Sequence, residues 1–148
     1  MPESTRHEPS SSQTRMWGDE SDPARRLWDL WRRGERPSVE DFVVRADLRD
    51  PGRIAAVLRV DQLERFRIGQ WVRVETYLAA FPAVRDDPEQ AVDLIFAECL
   101  LREEGGELIE PEEYARRFPE HAEELRLQLK LHRALETRLV PSSAGSSS

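Results

Sequence analysis

The sequence predicts an all-α protein: a compact array of six to seven helices built from degenerate long-helix/short-helix repeats of about 36 residues. Three observations predict it. Asp-Pro pairs recur at 22–23, 50–51 and 87–88, each an N-cap followed by proline at the first helical position. Apolar residues then fall at helical spacing until a glycine. Alternation of period two is absent over any useful length; Val72-Arg73-Val74 is the nearest case and too short for a strand.

In chain order, the first helix opens at Asp22-Pro23, carries Leu27, Trp28, Leu30 and Trp31, and stops at Gly34. A longer helix opens at Asp50-Pro51 and runs through Val57, Val60, Leu63 and Phe66 to Gly69. Another opens at Asp87-Pro88 and runs through Ala91, Leu94, Ile95, Glu98 and Leu101 to Gly105-Gly106. Pro119 opens the last, with Leu125, Leu129 and His132 on one stripe and Leu127, Leu131 and Leu135 beside it.

Short helices lie between the long ones, and their alignment exposes the repeat. Gly34 to Phe42, Gly69 to Tyr77 and Gly106 to Tyr114 each run from a glycine through polar residues to an aromatic. The aromatics are 35 and 37 residues apart, and Phe81-Pro82 recurs as Phe118-Pro119 after 37. Each glycine suits a left-handed helix stop, and an acid in the first turn of each short helix suits the positive end of its dipole. The aromatic lies four residues before Phe81 or Phe118 and shares its face. Tyr77 and Tyr114 are therefore expected in equivalent, mostly buried positions, with Phe42 in a worn third copy.

Composition bounds the rest. The 148 residues suit one domain, with 34% charged and 39% hydrophobic residues. Residues 1–21 read as a disordered leader, 22–140 as the helical repeat domain and 141–148 as a linker-like tail. No apolar run nears the roughly 18–20 residues that cross a bilayer, and residues 1–15 lack the apolar stretch of a secretory signal. A single cysteine makes no internal disulfide, so a cytoplasmic location is expected. Residues 1–73 carry 14 arginines against 13 acids, whereas the rest carries 8 basic residues against 16 acids. Of all 22 basic residues only Lys130 is lysine, an excess of arginine that reads as GC-rich coding bias. The net charge of −7 disfavours general nucleic-acid binding.

No residues are assigned to catalysis, a cofactor or a metal. His121 and His132 are eleven apart, roughly 16 Å along one helix. Cys99 reads as a small buried hydrophobe. Glu103-Glu104, Glu112-Glu113 and Glu123-Glu124 read as solvated helix faces, since adjacent helical residues do not face one another. Gly105-Gly106 is followed by no phosphate-binding lysine. The candidate binding surface is Arg25, Trp28, Trp31, Arg32 and Arg33, within a cluster that also includes Arg26 and Arg36. Tryptophan and arginine dominate interface hot spots. The competing reading buries Trp28 and Trp31 as the packing stripe of the first helix and has the greater weight, since tryptophan is highly buried on average.

Two runs carry a family resemblance. One is Val60-Asp61-Gln62-Leu63-Glu64-Arg65-Phe66-Arg67-Ile68-Gly69, continuing through Val74-Glu75-Thr76-Tyr77-Leu78 to Phe81-Pro82. The other is Leu94-Ile95-Phe96-Ala97-Glu98, continuing through Glu113-Tyr114, Arg117-Phe118-Pro119 and Gln128 to Leu131-His132-Arg133-Ala134-Leu135. Together they resemble the helical region ahead of the catalytic domain in planctomycete-type bacterial serine/threonine protein kinases, over roughly residues 55–138. The family favours tryptophan where Phe66 stands and tyrosine where Phe96 stands. His132-Arg133-Ala134-Leu135 also resembles the kinase HRDL tetrapeptide, but Ala134 replaces the catalytic aspartate and no other kinase motif occurs. The resemblance implies a non-catalytic regulatory or protein-interaction module without cofactor or small-molecule substrate. Its expected partner is a protein, with a kinase domain in another chain as one candidate. The alternative is a small nucleic-acid-associated regulator using the Arg/Trp-rich first helix.

Overall fold

Each Asp-Pro pair caps a helix as expected. Asp22 accepts from the Ala24 amide at 3.2 Å, Asp50 from the Arg53 amide at 3.0 Å and Asp87 from the Gln90 amide at 3.3 Å. The computed structural model describes residues 22–139, so the expected leader 1–21 and tail 141–148 lie outside the described residues. The described residues form eight α-helices and no strand: α1 Pro23–Arg32, α2 Val39–Arg45, α3 Pro51–Arg67, α4 Val74–Ala80, α5 Pro82–Arg85, α6 Pro88–Glu104, α7 Pro111–Arg117 and α8 Ala122–Leu139. A 3-10 turn at Pro119–His121 precedes α8, so Pro119 starts that turn rather than the last α-helix itself. The chain falls into two compact units, Met1–Ala91 and Val92–Ser148, divided within α6.

The stops repeat as closely as the starts. Gly34, Gly69 and Gly106 hold φ of +89°, +79° and +98°. At each, the glycine amide and the following amide reach back into the last helical turn. Gly69 donates to the Phe66 carbonyl at 3.1 Å and Gln70 to that of Arg65 at 2.8 Å; Gly106 and Glu107 donate to Glu103 and Arg102 at 2.9 and 3.0 Å. Asp47, at φ +55°, closes α2 in the same way, a left-handed stop that the sequence does not advertise with glycine.

In the first unit, α1 and α2 pack on α3, and α5 packs on both α3 and α4. Its core includes Leu27, Val57, Leu58, Val74 and Val84, each with no exposed surface. In the second unit, α7 packs on α8, and Leu94, Ile95, Ile109, Tyr114, Leu125 and Leu129 form the core.

The short helices α2, α4 and α7 have seven residues each, too few to persist alone. A polar anchor ties α4 and α7 to their long neighbours. In the first unit the Tyr77 hydroxyl donates to buried Asp61 of α3 at 2.7 Å, and Arg65 Nε lies 3.1 Å from both Asp61 oxygens. In the second unit the Tyr114 hydroxyl donates to buried Glu98 of α6 at 2.5 Å, and Arg117 Nη1 donates to the same oxygen at 2.6 Å. Tyr77 and Tyr114 are both buried, whereas Phe42 is half-buried.

The positive-φ glycines have open space around them: a Cβ at Gly69 or Gly106 meets nothing within 4 Å. Gly69→Ala and Gly106→Ala are therefore expected to cost only the left-handed backbone strain, about 1–2 kcal/mol each by denaturant titration, with helical circular dichroism unchanged.

Candidate functional site

The expected binding surface divides. Trp31 is 8% exposed, and the Arg65 guanidinium lies 5.1 Å from its ring centroid; it belongs to the packing between α1 and α3 and drops out of the candidate surface. Trp28 is half-buried, with Arg32 at 4.6 Å and Arg25 at 5.2 Å from its ring. Arg25, Arg32 and Arg33 are exposed. The two indoles stand three positions apart on one helix, and only one faces the core.

Alongside, Arg26, Asp29, Leu30, Arg33 and Phe42 line a shallow cleft. The Arg26 guanidinium sits 5.6 Å from the Phe42 ring. Arg26 lies 16 residues before Phe42, as Asp61 lies before Tyr77 and Glu98 before Tyr114. At this same spacing Arg26 and Phe42 offer neither carboxylate nor hydroxyl, and the aromatic meets a cation instead.

In the second unit, α8 carries apolar residues on two sides. Leu125 and Leu129 are each 1% exposed. Leu127, Leu131 and Leu135 are 53%, 55% and 56% exposed, at i, i+4 and i+8. They lie roughly 130° around the helix from the buried side. Helical spacing sets this stripe beside the buried one, and a helix with leucine on both sides has no periodicity that says which side is covered.

The same helix supplies a grouping that sequence reasoning missed. His132 Nε2 lies 3.3 Å from Glu103 Oε1 of α6 and 3.3 Å from Glu136 Oε2. Nε2 is buried and makes no hydrogen bond. The Phe96 ring meets the imidazole edge-on, with centroids 5.7 Å apart. The spacing of His132 and Glu136 as i and i+4 was legible, whereas the approach of Glu103 is tertiary. Glu112 is exposed, as the solvated-face reading expects, and pairs with exposed Arg126 at 2.8 Å, whereas half-buried Glu113 turns to Arg102 at 2.6 Å.

Cys99 is buried as expected, and burial, then the charge of Glu103, pushes its thiol up to about 12. Burial first, then the charge of Asp61 or the hydrogen bond to Glu98, pushes the Tyr77 and Tyr114 hydroxyls well above the usual value near 10. Among the described residues, no helix is long and apolar enough to cross a membrane.

Two predictions follow from burial. Trp31→Ala is expected to cost roughly 3–5 kcal/mol in chemical denaturation, and Trp28→Ala clearly less. Second, above about pH 10 the unfolded chain loses tyrosine protons that native Tyr77 and Tyr114 retain. The unfolded state then binds fewer protons, so stability falls as pH rises, by about 1.4 kcal/mol per pH unit for each tyrosine. Tyr114→Phe is less stable at neutral pH, yet its stability declines more shallowly above pH 10 by that one share.

The chain matches no protein-family model, no curated protein and no solved structure.

Proposed function

We propose that this chain is a non-catalytic protein-interaction module of a regulatory kind, related to the helical region ahead of bacterial serine/threonine kinase domains and working in the cytoplasm. The observation that carries the reading is the outward leucine stripe Leu127, Leu131 and Leu135. Three side chains more than half exposed on successive turns suit the apolar side of a partner's amphipathic helix, which reads such i, i+4, i+8 anchors. A second support is Trp28, whose indole is fixed by Arg25 and Arg32, so that little side-chain freedom remains to be lost on binding.

The nucleic-acid alternative draws on the exposed Arg25, Arg26, Arg32 and Arg33. It fits less well. Base stacking needs free aromatic faces, and Trp31 is buried while Trp28 is already engaged by two guanidinium groups.

The test is the variant Leu127→Ser, Leu131→Ser, Leu135→Ser. Because these side chains are exposed, helical circular dichroism and melting temperature are expected to hold. Affinity for a kinase domain supplied as a separate chain, read by calorimetry, should fall at least tenfold, a loss of about 1.4 kcal/mol. Undiminished affinity in the folded variant overturns the stripe as the docking face. Saturable ATP binding by the wild-type chain overturns the non-catalytic reading.

A further inference from the structure

We propose that Glu103, His132 and Glu136 form a binding site for a divalent transition metal of the zinc type, independent of the interaction reading. The three side chains offer one ligand atom each, and these atoms lie within 4.8 Å of one another. Glu103 stands at the end of α6, and His132 and Glu136 are one turn apart on α8. All three lie within the second compact unit.

The imidazole geometry is what points to a metal. Nε2 stands between one carboxylate of α6 and one of α8. Here it lies 3.3 Å from each carboxylate, buried and without a hydrogen bond. A cation placed among Nε2 and the two carboxylate oxygens would take a lone pair from each. Zinc bonds of about 2.0–2.1 Å in a tetrahedron separate neighbouring ligand atoms by about 3.3 Å; the two nitrogen–oxygen separations have that value, and all three atoms lie within 4.8 Å of one another, so the carboxylates would close on the ion as it binds.

The surroundings fit the same ion. Arg133 Nη2 lies 3.7 Å from Glu103 Oε2, leaving Oε1 as the oxygen turned to His132. Arg133 is itself held by a hydrogen bond to the Ile109 carbonyl, and the edge-on Phe96 ring fixes the imidazole plane. Such outer partners orient ligands in metal sites. Two carboxylates supply negative charge for a divalent ion, and the imidazole adds a nitrogen ligand. The nitrogen ligand favours zinc and its transition-metal neighbours over magnesium or calcium, which prefer all-oxygen shells. The Glu136 side chain is 60% exposed, so water has access to the remaining coordination position. The bound ion would join the end of α6 to α8.

The test is calorimetric titration of the chelator-treated full chain with zinc chloride near neutral pH, with a parallel thermal melt. The expected result is one zinc per chain, micromolar or tighter, with a raised melting temperature. Glu136→Gln, His132→Asn and Glu103→Gln are each expected to weaken binding by roughly tenfold or more. Circular dichroism confirms folding, and the exposed Glu136→Gln variant keeps the test decisive if a more buried change unfolds the chain. A Cys99→Ser, His121→Asn double variant should bind as tightly as the parent. No saturable one-to-one binding, binding untouched by Glu136→Gln and His132→Asn, or binding lost in the Cys99/His121 variant overturns the proposal.

Discussion

The buried pairing of a tyrosine hydroxyl with a carboxylate on the preceding long helix is the constraint on which the rest depends. A carboxylate with 1% or less of its surface exposed, as at Asp61 and Glu98, is costly unless its charge is matched and its oxygens are hydrogen-bonded. Tyr77 and Arg65 meet that demand for Asp61; Tyr114 and Arg117 meet it for Glu98. The demand is reciprocal. Each tyrosine comes from a seven-residue helix that would not persist by itself, so the hydrogen bond that satisfies the acid also fixes the short helix. Register follows, because the hydroxyl reaches only one turn of the long helix. The stacking of Tyr114 on Phe118, nearly parallel at 6.4 Å, then leads into the turn that opens α8.

Arginine serves this scheme in a way lysine would not. Arg65 reaches both Asp61 oxygens through Nε, donates to the Pro37 carbonyl through Nη2 and lies over Trp31. Arg117 grips Glu98 while lying 4.8 Å from the Tyr114 centroid and 5.2 Å from that of Phe118. A planar fork makes directional hydrogen bonds at its edge and stacks through its face; an ammonium does neither as well. The arginine excess, read from sequence as coding bias, therefore has a structural use at these positions.

What was legible in the sequence was local chemistry. Asp22, Asp50 and Asp87 announce helix starts because the cap and the following proline act within a few residues. Gly34, Gly69 and Gly106 announce stops because only glycine takes positive φ freely. The Tyr spacing was legible too, since it repeats. What the tyrosines bond to was not: Glu98 falls within the apolar run of its helix, but neither it nor Asp61 shows a partner in sequence, and their burial is a property of the packed units. Likewise the spacing of the histidines says nothing of what surrounds His132, whose neighbours are Glu136 one turn on and Glu103 from another helix. Trp28 and Trp31 were indistinguishable by composition and are separated only by their angle around α1.

The leucines of α8 show where such reading reaches its limit. Leu125 and Leu129 disappear beneath the packing of α7, while Leu127, Leu131 and Leu135 stay exposed. Both sets have helical spacing, and burial of either would satisfy periodicity. The choice is made by the polar residues that share the inner side. Arg133 must reach the Ile109 carbonyl, and His132 must reach Phe96 and Glu103. Those contacts fix the rotation of α8 about its own axis. With that rotation fixed, hydrophobicity no longer decides which leucines are covered, and the remaining stripe faces outward as a consequence of polar geometry.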